Sequence, residues 1–211
     1  GLRVLMEGGN AVASAIAAAA ALNVVEPMST GVGGDMFALV WDNKEKSVRA
    51  LNGSGRAPAA ANIEELTKKG LSAMPDTGVY SVATPGTVHG WETLLDSCGT
   101  MPLSKLLCPA IDYAENGFPV SDIISFQWQQ CLGKLSAFPS GTEMLPNGGP
   151  PSQGDFVRLP TLAATLRAIA EGGSEAFYNG PIAEKTAAFV QEHGGWLSVE
   201  DMATHTSDWD E

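Results

Sequence analysis

The chain has 211 residues, 44% of them hydrophobic and 17% charged, a balance that builds a globular core and excludes a disordered polar chain. Acidic residues outnumber basic ones 24 to 12, and the formal charge of −12 repels phosphate backbones and anionic bilayers, which excludes nucleic acid and membrane surfaces as partners. Length alone allows one large domain or two small ones.

In chain order, Gly1–Glu7 reads as the end of a helix, broken by Gly8-Gly9. Asn10 then caps a helix over Ala11–Leu22 whose many alanines suit close approach to a sheet and whose near-absence of charge predicts burial on most sides. Glu26-Pro27 ends that run, and Met28–Asp35 is a glycine-rich turn. Met36–Trp41 and Ser47–Leu51, separated by a short polar loop, predict a hairpin. Ile63–Gly70 is a short helix, Val79–Thr84 reads as a third strand, and Thr87–Ser97 as a helix. Helices follow over Leu103–Asn116, from Ser121 to about Leu132, and over Thr161–Ala170, Ser174–Phe177 and Ile182–Glu192, with a capping box at Ser198–Asp201 opening a last one. Leu135–Asp155, dense in proline and glycine, reads as a long irregular excursion, functional or mobile. Strands early and helices late give an α+β chain, and three strands are too few to cover such apolar helices, so the sheet is expected to be unfinished.

Candidate chemistry is sparse. Gly31-Val32-Gly33-Gly34-Asp35 has a helix before it and a strand after it, the reverse of a phosphate loop, and reads as a tight turn feeding a buried strand. His89, His193 and His205 lack metal-ligand spacing and read as satisfied surface or core residues, so neither a metal nor a cofactor is expected. Cys98, Cys108 and Cys131 show no CxxC spacing and read as reduced, mostly buried thiols, which slightly favours a cytoplasmic location. Glu64-Glu65 reads as a solvated helix face. The opening Gly-Leu-Arg-Val-Leu has no signal-peptide pattern, and because a helix is already under way there, the native N-terminus is expected upstream.

Glu7-Gly8-Gly9-Asn10-Ala11-Val12, Val24-Val25-Glu26-Pro27 and Gly31-Val32-Gly33-Gly34 resemble the opening of the gamma-glutamyltransferase family. Thr84-Pro85-Gly86-Thr87-Val88-His89-Gly90-Trp91, Cys98-Gly99-Thr100-Met101-Pro102-Leu103 and Ala114-Glu115-Asn116-Gly117-Phe118-Pro119-Val120 continue the resemblance in family order. So do Phe177-Tyr178-Asn179-Gly180 and Gly194-Gly195-Trp196-Leu197-Ser198-Val199-Glu200-Asp201, and the similarity runs over nearly the whole chain.

The resemblance implies an αββα N-terminal-nucleophile hydrolase sandwich, present here as a large-subunit portion over 1–211, with a sheet-bearing part over 1–97 and a mainly helical part over 98–211. It implies a partner, the small subunit of the same precursor, which completes the sandwich after self-cleavage and supplies a threonine that is both nucleophile and, through its α-amine, base. The expected substrate is a small-molecule amide, and no catalytic residue is expected in this segment. In true glutamyl transferases an arginine four residues before the proline of Arg-x-x-Ala-Pro pairs with the substrate α-carboxylate. Here Ser54 fills that slot in Ser54-Gly55-Arg56-Ala57-Pro58, and Arg56 stands two residues later. A hydroxyl does not replace a planar fork, so the pattern is more similar to the acylase and oxamate-amidohydrolase-like branch. Arg56 and Ser54 are the candidate substrate-binding residues, with a structural ion pair as the alternative role for Arg56. A non-catalytic homologue or binding module, and a true glutathione hydrolase, remain as alternative functions.

Overall fold

The computed structural model describes residues 1–210. Its helices are α1 (Leu2–Met6), α2 (Ala11–Val25), α3 (Ile63–Lys68), α4 (Thr87–Cys98), α5 (Leu103–Asn116), α6 (Asp122–Gln130), α7 (Leu132–Leu135), α8 (Pro160–Gly172), α9 (Glu175–Tyr178), α10 (Pro181–Glu192) and α11 (Val199–Ala203). The strands are β1 (Met36–Asp42), β2 (Ser47–Gly53), β3 (Phe118–Pro119), β4 (Phe156–Val157) and β5 (Asp208–Asp210). Two compact units share them, Gly1–Val32 with Leu95–Glu171, and Gly33–Leu94 with Gly172–Glu211.

The first unit is built on α2 and α5. Asn10 starts α2 by accepting from the Ala13 N–H at 3.0 Å, and its own groups donate to Thr100 Oγ1 at 2.9 Å and the Cys98 carbonyl at 2.6 Å. One residue thereby caps a helix and fixes the loop that leads to α5. Within this unit the alanine surface of α2, expected against a sheet, lies on α5 and α1. Ala13, Ile16, Ala17, Ala20 and Val24 are buried on α2, and Leu106, Leu107, Ala110 and Ala114 on α5, so small side chains let the helix axes approach.

The proline-rich excursion is irregular, as expected, but tied down. It forms 3-10 turns at Pro139–Met144 and Pro146–Gly148, and β4 closes it against β3. The buried Trp128 donates from Nε1 to the Met144 carbonyl at 2.7 Å, Ser125 Oγ donates to the Pro151 carbonyl at 2.9 Å, and Glu143 accepts the Thr161 N–H at the start of α8 at 2.8 Å. The thiols differ from expectation: Cys108 is exposed and Cys98 and Cys131 are half-buried.

The second unit carries a three-stranded antiparallel sheet in the order β1-β2-β5. The hairpin register pairs Met36 with Gly53 and Asp42 with Ser47. The third strand is a correction. Val79–Thr84 is not a strand: Val79–Ser81 forms a 3-10 turn, with Tyr80 packed on Trp196 at 5.0 Å between ring centroids. β5 takes its place, pairing Asn52 with Asp208 and Ala50 with Asp210. Two further expectations need adjusting. Glu65 is not merely solvated, since it accepts from Trp196 Nε1 at 3.1 Å. The strand after the glycine-rich turn is open on one side: Phe37, Leu39, Trp41 and the cross-strand Val48 are 70%, 78%, 56% and 54% exposed. The free edge of β1 has no strand partner among the described residues. The unfinished sheet expected from the strand count is therefore present as an apolar face and an open edge.

The opposite face of the sheet meets α4, where Gly90 faces Met36 and Gly53. Beside this contact two chain segments cross. A Cβ on Gly55 would run into the Thr84 carbonyl, and one on Gly86 into the Gly53 carbonyl. The Thr84 N–H donates to the Arg56 carbonyl at 3.0 Å, and the Gly34 carbonyl accepts from Gly86 and Thr87 at 2.9 and 3.0 Å. The glycine-rich turn thus caps α4 with a carbonyl, which consumes N–H groups that a phosphate would need. Gly86→Ala is expected to lower stability by about 3 kcal/mol, because backbone and not a side-chain tip must move. Denaturant titration, with Gly149→Ala at an uncrowded glycine of extended backbone as reference, measures it.

Candidate functional site

Arg56 follows the crowded crossing directly, so its backbone is held on three sides. Asp35 Oδ1 accepts the Gly55 N–H at 2.8 Å, and the Asp35 carbonyl accepts Thr87 Oγ1 at 3.1 Å. The side chain of Asn52 accepts the Ser54 N–H at 2.9 Å. On the C-terminal side, Asp201 accepts the Ala59 N–H at 2.8 Å while also closing the capping box with Ser198. Burial acts to raise the Asp201 carboxyl, but the bonds from Ser198 and Ala59 outweigh it and hold the group below its ordinary range.

From this support the Arg56 guanidinium reaches outward. Its Nη2 lies 3.3 Å from Thr206 Oγ1 and 3.2 Å from Asp208 Oδ2, and the Arg56 and Asp208 side chains are 63% and 61% exposed. The contact is a single hydrogen bond to the carboxylate, not a two-pronged fork, and Nε and Nη1 have no partner among the described residues. Ser54, the other candidate, sits half-buried on the same turn. Thr206 and Asp208 carry no sequence signal of a site; only the pairing of β5 with β2 brings them to Arg56.

Behind this edge lies a cluster that the sequence leaves scattered. His89, Tyr178 and His205 meet: the His205 ring stacks on Tyr178 with centroids 5.4 Å apart and meets His89 edge-on at 5.5 Å. His89 Nδ1 accepts the Ser207 N–H at 3.1 Å, with the hydroxyls of Ser207 and Thr93 at 2.9 and 3.2 Å. A backbone N–H only donates, so Nδ1 is the accepting nitrogen in the contact with Ser207. Tyr178 donates to the Pro85 carbonyl at 2.7 Å, and burial, joined by the Glu92 charge, pushes its phenol well above the ordinary value. His205 departs from the expected satisfied histidine. It is 6% exposed, and neither ring nitrogen has a hydrogen-bond partner among the described residues. Burial above all pushes its imidazole below the ordinary value, the Arg56 charge pushes the same way, and Asp208 and Asp35 oppose them. His193, by contrast, bonds the Phe189 carbonyl from Nδ1 at 2.7 Å.

Two of the concavities described in this unit differ in character. A shallow groove of about 250 Å³ on the open sheet face is lined by Phe37, Leu39, Ala50, Asn52 and Asp210. A cleft of about 570 Å³ between α3 and Trp196 has no titratable lining residue. Among the described residues no group of three or more His, Cys, Asp or Glu side chains is placed to hold a metal, and no helix is long and apolar enough to cross a membrane.

An α+β frame with an open hairpin face, and an exposed arginine on a turn locked by glycines, corresponds to part of an N-terminal-nucleophile hydrolase sandwich on its large-subunit side. Residues 1–211 match the family described as Gamma-glutamyltranspeptidase, and the chain belongs to that family. The structure of gamma-glutamyltranspeptidase from Helicobacter pylori shares the fold with a TM-score of 0.94 at 31% identity, covering 100% of this chain and 61% of its own. Cephalosporin acylase from Bacillus halodurans gives 0.88 at 37% identity, over 100% of this chain and 40% of its own. The glutathione hydrolase-like YwrD proenzyme of Bacillus subtilis (strain 168) is 37% identical over 211 residues, 99% of this chain and 40% of its own length. The chain thus spans about two fifths of the length of that curated relative.

Stability should depend on pH through His205. Its folded value lies below the unfolded one of about 6.5, so the stabilisation is complete above that value and is lost as pH falls from it through the folded value. Thermal melts between neutral and mildly acid pH should show this loss. His205→Phe, which keeps the stacking on Tyr178, should flatten it; an unchanged slope in that variant assigns the acid sensitivity elsewhere.

Proposed function

We propose that this chain is the large-subunit side of an amide hydrolase or acyltransferase in the acylase and amidohydrolase-like branch of its family. The observation that carries the reading is Arg56: an exposed cation on a rigid turn, with two donor nitrogens uncommitted among the described residues, suited to a carboxylate on the acyl part of an amide. Ser54 contributes a hydroxyl beside it. With serine in the slot where glutamyl transferases carry their arginine, glutathione-type substrates are the less favoured class.

In this reading the reaction is attack by a threonine at the start of a downstream small subunit on the amide carbonyl. The threonine hydroxyl adds, its α-amine takes the proton, the amine product leaves, and water or a second amine then releases the acyl group. This chain holds the acyl carboxylate and supplies neither nucleophile nor base. The small subunit of the same precursor is also the partner whose strands cover Phe37, Leu39, Trp41 and the free edge of β1. The open apolar face supports that assignment, since an unpaired edge beside exposed aromatics is costly to leave in water.

Two measurements test the proposal. Residues 1–211 alone should give no turnover of a chromogenic glutaryl or gamma-glutamyl amide; activity that survives repurification, and is lost on substitution within this chain, overturns it. In the full-length mature protein, Arg56→Ala should raise KM for the glutaryl amide roughly 30-fold, the equivalent of about 2 kcal/mol for a lost charge-assisted bond, with a smaller change in kcat. An unaltered KM would remove Arg56 from the acyl site.

A further inference from the structure

We infer that Asp208 is an exchangeable internal counter-ion of Arg56, and that it sets how strongly the site distinguishes carboxylate-bearing acyl groups from neutral ones. The inference rests on the reading of Arg56 given above. Three features of the structure lead to it.

The ion pair is built to be broken. It has one N–O contact of 3.2 Å between side chains that are both more than half exposed, so its net strength is that of a surface pair. Among the described residues the Asp208 carboxylate makes no other hydrogen bond or ion pair, and once displaced it turns into water while Arg56 keeps Thr206.

The backbone that carries Asp208, in contrast, is fixed. Asn52 and Asp208 are register partners, Ser207 donates its N–H to His89, and Trp209 lies under the Arg49 guanidinium at 4.0 Å. The carboxylate therefore always returns to the same place, and its effective concentration at Arg56 is high.

Finally, Arg56 itself does not depend on Asp208 for its place. The turn is fixed by Asp35, by the glycine crossing and by Asp201, and Thr206 Oγ1 remains against the same Nη2. Removing the charge of Asp208 frees a donor without releasing the turn.

The consequence is a threshold. A neutral acyl group leaves the Arg56–Asp208 pair intact. An acyl carboxylate that grips the guanidinium with both oxygens, by contrast, needs Nη2, which every two-pronged approach shares. It must therefore displace Asp208 from that nitrogen and is bound by the difference between two anions on one guanidinium. A two-pronged carboxylate wins this exchange because the internal partner uses one prong.

The test compares kcat/KM for glutaryl and butyryl p-nitroanilides, two amides that differ in the terminal carboxylate, in the full-length mature protein. Asp208→Asn, which keeps size and one acceptor oxygen, should raise the glutaryl-to-butyryl ratio by roughly two- to five-fold, the range set by an exposed pair, through a lower KM for the glutaryl amide alone. Arg56→Ala should collapse the ratio, and in the double variant the Asp208→Asn gain should vanish. A ratio that falls in Asp208→Asn while Arg56→Ala also collapses it makes Asp208 a support for Arg56, overturning the inference but not the carboxylate site. An unchanged ratio in Asp208→Asn overturns it equally. If Arg56→Ala itself leaves the ratio unaltered, the carboxylate site is wrong and the inference falls with it.

Discussion

At Gly55 and Gly86 the chain crosses itself with no room for a side chain on either strand of the crossing. That contact positions the turn that carries Arg56. It brings the end of β2 against the start of α4, and the Asp35 carboxylate and the Gly34 carbonyl then fill the backbone donors exposed on either side. The pieces come from three separate stretches of sequence, so the geometry of Arg56 is a property of the packed unit and not of a local motif. A backbone crossing of this kind has no soft side chain to absorb error, which is why it can hold a cation in the open without a dense shell of ligands around it.

Electrostatics completes this arrangement. The chain carries 24 acidic against 12 basic residues, and carboxylates stand on each side of Arg56, Asp35 buttressing the backbone and Asp208 facing the guanidinium. The buried imidazole of His205 lies behind it, held below its ordinary pKa chiefly by burial.

Much of this was legible in the sequence, and the reasons for the remainder are physical. The hairpin could be read because β-rich runs flank a polar loop, and α5 because its start and its glycine stop are both explicit at Leu103 and Gly117. Val79–Thr84 misled because its composition suits a strand, while its actual partners, Trp196 and the Arg56 carbonyl, favour a 3-10 turn and a single backbone bond. β5 was invisible for the opposite reason. Asp-Trp-Asp has no strand pattern and is extended only because β2 offers an edge and Arg49 a lid for Trp209. The pairing of His89 with His205, 116 residues apart in number, and of Arg56 with Asp208 follows from that strand, so missing it meant missing half of the candidate site.

The hairpin has a consequence for how the chain finds this arrangement. Met36, Ala38 and Val40 alternate with Phe37, Leu39 and Trp41, so both faces of β1 are apolar and hydrophobicity cannot tell one pairing from the same pairing slipped by a residue. The discrimination falls to the loop: Asp42 accepts the N–H groups of Lys44 and Glu45 at 2.8 and 3.2 Å, and Lys46 takes a left-handed φ of 53° to bring Ser47 opposite Asp42. That small exposed turn acts as a ratchet stop. Were it to let β2 advance by one position, Leu51 would turn from the core to water and Gly53 would leave the only place where Gly86 can pass it, so a handful of solvated loop atoms decides the alignment of residues far along the strand.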